Sequence, residues 1–305
     1  MSTHSDEEVK TASADLETES HEQPVTERVS DALQQGIKAL IGSNRKPPRR
    51  FKTLLHGTWL GHPLHPAITD VPIGAWLLAG LFDVLWLASP TQNAWAARGA
   101  EWLVIVGIVG ALGAAVTGMA DWSDTYGAER TVGLYHGALN SLALVLFIIS
   151  AALRITVGTA MSVPAAILGF AGIAAMLVAA YLGGDMVFGK GTGVNHTAWE
   201  PAPEDYVSVL PVDQLSDHTL RRVTVADVPV ILLKANETYY AIAATCTHAG
   251  GPLDEGELQG EVVQCPWHGS RFRMQDGKPI TGPATFAQPS YDVRIREGII
   301  QLRRR

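Results

Sequence analysis

Cysteine is nearly absent from this chain of 305 residues: there are two. That excludes a disulfide-stapled scaffold. Both fall inside a metal-ligand pattern, so neither is assigned to a bridge, and their chemistry suits a reducing compartment as readily as an oxidising one. Positive charge is also short. The formal net charge of -7 argues against nucleic acid as a general partner. No nucleotide or flavin fingerprint occurs, so hydride chemistry on a bound dinucleotide is not expected. No secretory leader is visible either: the first thirty residues run through Asp6, Glu7, Glu8, Asp15, Glu17, Glu19, Glu22 and Glu27 without an apolar core.

What the chain does have is apolar residues, 47% of the total, unevenly spread. Residues 1–25 are acidic and too poor in apolar side chains to offset the cost of ordering, so a disordered tail is expected. Val29, Leu33, Ile37 and Leu40 then recur at helical spacing, with Asp31, Gln34, Gln35 and Lys38 on the other face. This predicts an amphipathic helix, packed on its own protein or lying in a membrane interface. The basic run Arg45-Lys46-Pro47-Pro48-Arg49-Arg50-Phe51-Lys52 follows, suited to anionic headgroups.

Four apolar stretches come next, over 67–88, 101–119, 134–153 and 163–187. Each is near the roughly 20 residues a bilayer helix needs. A soluble bundle with such helices would have no polar face. Gly107, Gly110, Ala111, Gly113, Ala114 and Gly118 should let helices approach closely in lipid. Trp76, Trp86, Trp95 and Trp102 are expected near interfaces, and Asp83 at a water-exposed helix end. Arg45, Lys46, Arg49, Arg50, Lys52, Arg130 and Lys190 fall on one side of the spans, Arg98 and Arg154 on the other. The positive-inside rule makes the first side cytoplasmic, and an even number of spans returns the C-terminal region to it.

After Pro201, Pro203, Glu204 and Asp205 the period drops to that of strands, with tight turns at Asp276-Gly277 and Glu297-Gly298. The expected organisation is a tail (1–25), an amphipathic helix and basic segment (26–53), an all-α four-helix transmembrane domain (54–198), a linker (199–205) and an all-β domain (206–305).

Two loops of the last domain carry chemistry. One reads Cys246-Thr247-His248-Ala249-Gly250-Gly251-Pro252-Leu253, the other Cys265-Pro266-Trp267-His268-Gly269-Ser270. Soft thiolate and neutral imidazole both suit iron. Two cysteines on one iron and two histidines on a second is the mixed ligation of a Rieske [2Fe-2S] cluster. A structural zinc site would use the same four ligands. The glycines and prolines that continue the loops favour the larger cofactor, by letting backbone amides turn towards it.

At these residues the chain, from about residue 205 onwards, resembles the Rieske domain family. The resemblance implies two small antiparallel sheets with a cluster-binding subdomain, Cys246 and Cys265 on a buried iron, and His248 and His268 on an outer iron whose edge is exposed to redox partners. It implies a hydroxyl donor at Ser270 and a shielding proline loop at Gly282-Pro283-Ala284. Gly251 and Trp267 stand where high-potential members have a disulfide, and Phe272 where a tyrosine is common. Fewer donors stabilise the reduced cluster less, so a midpoint towards the lower end of about -150 to +300 mV is expected.

The segment His62-Pro63-Leu64-His65-Pro66 resembles a bacterial family of four-helix membrane proteins of undetermined function, over about 50–198, and His136 and His196 fit the same pattern. The topology puts His62, His65, His136 and His196 on one side. They are candidates for a haem b site, with His65 and His136 the preferred pair, or for a quinone pocket. The alternative is a network fixing helix ends.

The expected function is a membrane-anchored single-electron carrier of the bacterial plasma membrane, multi-pass, with its N-terminus and cluster cytoplasmic. It would contact lipid, a separate redox donor and an acceptor protein. A quinone or haem oxidoreductase and a redox sensor are the alternatives. A ring-hydroxylating oxygenase is excluded for want of room for a second catalytic domain.

Overall fold

The computed structural model describes residues 24–43, 50–156 and 162–305. The expected acidic tail, apart from its last two residues, and most of the basic run lie outside them.

Helix α1 (Val25–Ile41) packs in a way the sequence did not specify. Its polar face is the buried one: Gln34 donates to the carbonyls of Trp122 at 2.8 Å and Thr125 at 3.1 Å, and Asp31 pairs with Arg130. Val29, Leu33 and Leu40 point outwards. A short helix α2 (Arg50–His56) follows, then four long apolar helices: α3 (Leu64–Ala88), α4 (Ala94–Trp122), α5 (Gly127–Thr156) and α6 (Val163–Gly184). All four are long and apolar enough to cross a membrane. A π-helical turn, Asp185–Gly189, extends α6.

The bundle is a hairpin repeated. Residues of α3 face residues 71 positions later on α5: Asp83 meets Arg154. At the same spacing Trp76 stacks on Phe147, centroids 4.0 Å apart, and His65 faces His136 at 6.2 Å. The second helices match too. A Cβ on Gly107 would fall 2.2 Å from the Trp76 ring, and one on Gly172 2.7 Å from Phe147. Gly118 lies against His65 as Gly183 lies against His136. Small residues thus let each helix pair close around one ring.

Two expectations need correcting. Asp83 is not at a water-exposed end: it is 1% exposed and held by both terminal nitrogens of Arg154, at 2.9 and 2.6 Å. An unpaired charge at this depth would be costly, and a bidentate guanidinium answers it. Trp76 is core rather than interfacial, because its partner Phe147 lies across the hairpin interface, and Trp86 is buried as well; Trp95 and Trp102 are exposed.

The C-terminal part has two antiparallel sheets. The larger runs β1 (Val207–Pro211), β10 (Ile299–Arg304), β9 (Ser290–Arg296), β4 (Thr238–Ala243), β3 (Val228–Ala235) and β2 (Leu220–Val225). The smaller runs β5 (Glu257–Gln259), β6 (Val262–Gln264), β7 (Arg271–Arg273) and β8 (Pro279–Thr281). Strand β3 is the spine. Its alternate residues Ile231 and Leu233 enter one core cluster, while Val230 and Leu232 enter the other. The first cluster reaches Cys246 and Cys265, so the cores beneath the cysteines and beneath the sheets are continuous.

Candidate metal centre

The two ligand loops fold as equivalent turns. In each, the fifth residue donates back to the cysteine carbonyl: Gly250 N to Cys246 O at 2.8 Å, Gly269 N to Cys265 O at 3.1 Å. In each, the cysteine N–H bonds the sixth residue's carbonyl, Gly251 or Ser270, at 2.8 Å. Gly250 and Gly269 both have φ +77°, which side chains with a Cβ resist. Gly251 is glycine for space instead: a Cβ there would lie 2.8 Å from Cys265 Sγ.

The loops bring their side chains together in pairs. Cys246 and Cys265 are buried and not joined by a disulfide. The Cys265 side chain beside it, with burial, pushes the Cys246 thiol well up. Two thiolates side by side in such a place need a cation between them. The His248 and His268 rings stand 4.8 Å apart. Nδ1 of His248 is buried without a hydrogen-bond partner, the mark of a nitrogen that belongs to a metal. Burial holds His248 well below the usual histidine range, with His268, His56 and His196 adding to the effect. Among the described residues no three His, Cys, Asp or Glu side chains form a single-ion site. A cysteine pair next to a histidine pair fits two irons better than one zinc.

Ser270 is buried, and its Oγ accepts from Ala284 N at 3.0 Å. This ties the proline loop to the second ligand loop and leaves the hydroxyl proton to donate elsewhere.

The histidine edge faces the helical part, which packs against it while both rings stay partly exposed. Tyr126, in the turn after α4, stacks on His268 with centroids 5.2 Å apart. Thr58 Oγ1 donates to Ala284 O at 3.1 Å, and His56 packs on Gly282. His196 donates its backbone N–H to Thr247 O at 3.1 Å. His56, 1% exposed, donates from Nδ1 to Asp121 at 2.7 Å, while Lys52 bonds Asp124 at 2.9 Å. The partly exposed edge thus faces α2, the turn after α4 and the segment after α6. His56 and Tyr126 were not singled out for this place, whereas the topology puts Asp121 on the β-domain's side of the spans. A histidine at the end of the short helix that begins in the basic run gives no sign of which loop it will meet.

The four bundle histidines separate. His65 and His136 come together, His196 joins the cluster edge, and His62 stands exposed with Nδ1 donating to Pro63 O.

An all-β domain with paired thiols and imidazoles on two matched loops, carried by apolar helices, defines a membrane-bound iron-sulfur electron-transfer protein. Residues 205–292 match the Rieske [2Fe-2S] domain family, and residues 61–196 match a predicted membrane protein family of unassigned function, DUF2231. The C-terminal part is 33% identical over 98 residues to ferredoxin CarAc of Metapseudomonas resinovorans, spanning 32% of this chain and 92% of that one. It is 27% identical over 90 residues to the naphthalene 1,2-dioxygenase ferredoxin component of Pseudomonas putida, spanning 30% and 86%. Among solved structures it is similar to the ferredoxin of carbazole 1,9a-dioxygenase from Nocardioides aromaticivorans IC177, at 28% identity and a TM-score of 0.32, covering 33% of this chain and 98% of that one. The chain belongs to the Rieske [2Fe-2S] family, with a ferredoxin-like domain attached to a four-span membrane domain.

Proposed function

We propose that this chain is a membrane-anchored Rieske electron carrier working at the cytoplasmic face, with Cys246 and Cys265 holding one iron and His248 and His268 the other. The buried, partnerless Nδ1 of His248, beside the His268 ring and on the same loop as Cys246, carries the reading. When bound, the cluster takes up and releases single electrons. The chain's own residues then bury the thiolates, fix both loops through their glycines, and exclude water with the Gly282–Ala284 loop.

The covered edge favours one further step in this reading. Tyr126 and His56 stand where a soluble partner would dock, so the histidine side faces the membrane domain, and a haem b or quinone there is the natural second station. Ferredoxins of dioxygenase systems are relatives of the β-domain, and a separate soluble redox protein is the proposed source of electrons. It would approach from the side of exposed Trp267.

Detergent-purified protein, reduced with dithionite, should give the EPR signal of mixed Cys/His ligation, and the Cys246→Ser variant should lack it. The midpoint should lie below about +200 mV, because no loop disulfide or Phe272 hydroxyl supports the reduced form. Protein that held zinc alone would sink the proposal.

A further inference from the structure

The electron-carrier reading leaves the second station in the membrane domain unlocated, and the inference that follows rests on that reading. His65 and His136 occupy equivalent places in the two hairpins, and their surroundings match in detail. Nδ1 of His65 donates to Ala114 O at 2.8 Å; Nδ1 of His136 donates to Ala179 O at 2.8 Å. A carbonyl can only accept, so in both rings the proton sits on Nδ1 and the lone pair on Nε2. This is the arrangement by which proteins orient histidine ligands to a metal. Gly118 and Gly183 leave the space these rings fill: a Cβ would come within 2.7 Å of one and 3.0 Å of the other.

We propose that His65 and His136 are the axial ligands of one haem, seated between the α3–α4 and α5–α6 hairpins on the side of the bundle that carries the β-domain.

The spacing selects the ligand. The ring centroids are 6.2 Å apart with planes at 83°. Two imidazoles on opposite sides of one ion, each nitrogen roughly 2.0–2.1 Å from it, place their ring centres about 6 Å apart. A tetrahedral angle, as zinc prefers, would bring the centres to about 5 Å. A quinone head between the rings would need two hydrogen bonds of roughly 2.8 Å plus its own width, which this gap does not hold. Opposed imidazoles on one ion are the axial geometry of a six-coordinate haem iron. Iron would take the His136 lone pair that now accepts from Asn140 Nδ2 at 3.1 Å.

The hairpins also differ along their length in the way a macrocycle requires. Deeper in the bundle Trp76 and Phe147 are 2% and 1% exposed, and Asp83 and Arg154 seal the far end. His65 and His136 are only half-buried. Beside them, α6 ends in the π-helical turn Asp185–Gly189, a departure from α-geometry that recurs at functional sites. Gly118, against His65, is one turn of α4, roughly 5 Å, from Asp121, which bonds His56 at the covered cluster edge.

The test uses the full chain in detergent, as isolated and after titration with hemin. The expected result is a sharp, low-spin six-coordinate spectrum on reduction, with one haem per chain by pyridine haemochrome. His65→Ala and His136→Ala should each abolish the low-spin form, His62→Ala should not, and added imidazole should restore it in His65→Ala. The cluster EPR signal, read in every variant, reports the fold. Absence of a low-spin spectrum in the wild-type protein after hemin, or its survival in both variants, would overturn the proposal while leaving the cluster untouched. Loss of the cluster signal with the haem spectrum kept would instead overturn the electron-carrier reading alone.

Discussion

At the residue scale, the buried charges carry the firmest consequences. Asp83 and Arg154 satisfy each other inside an apolar bundle, and removing one leaves the other unpaired. Breaking a buried pair this way costs about 3–5 kcal/mol, while replacing both partners with apolar residues of similar volume is often neutral. Asp83→Leu should therefore lower the thermal midpoint in detergent sharply, and Asp83→Leu with Arg154→Met should recover most of it; equal losses in both would refute the pairing. Lys52 is a milder case. Burial lowers its pKa from 10.5, outweighing the opposing pull of Asp124. The folded state thus binds fewer protons than the unfolded one between that lowered value and 10.5, so Lys52's contribution to stability rises with pH across the window. Thermal unfolding followed upwards from neutral pH should show this rise, and Lys52→Met should flatten it.

The meeting of Cys246 with Cys265 and of His248 with His268 was legible because chemistry restricts it: few arrangements of two cysteines and two histidines have another use. The contacts of His56 and Tyr126 were not, since neither carries a local signal and each acquires its role only when a loop more than a hundred residues away docks on it.

At the element scale, the four apolar helices were readable from length and hydropathy alone, although α4 and α5 run several residues beyond their apolar stretches at both ends. The hairpin repeat was hidden. Its matched positions hold Trp76 opposite Phe147 and Asp83 opposite Arg154, pairs that complement rather than resemble each other. Helix α1 gave its amphipathic pattern plainly but not which face would be buried. With Val29, Leu33 and Leu40 outward, that face is the one suited to the acyl boundary. A nitroxide on Leu33→Cys in vesicles should be shielded from a water-soluble relaxant and accessible to oxygen, whereas one on Gln35→Cys should show the reverse. Equal exposure of both would refute interfacial seating.

At the scale of the whole molecule, the basic residues flanking the spans argue for a cytoplasmic β-domain. A C-terminal fluorescent fusion that matures only in the cytoplasm should shine in intact cells, and a C-terminal alkaline phosphatase fusion should be inactive. The opposite pattern would reverse the topology and move the source of electrons to the other compartment. Covering the histidine edge also sets a competition. A soluble oxidant that needs that edge would have to displace Tyr126, which stacks on His268, and under the proposed function it would compete with an acceptor in the attached bundle held at high local concentration.

The opposed charges of the two hairpins reach further than stability. A lone first hairpin meeting its twin would set two carboxylates face to face in hydrocarbon, and a lone second hairpin would set two guanidiniums so. Neither half can form a symmetric homodimer cheaply, yet each is the other's proper mate. The acid and the base therefore act as a mating key: they enforce one-to-one partnership between unlike halves and deliver the single asymmetric platform on which just one β-domain can land.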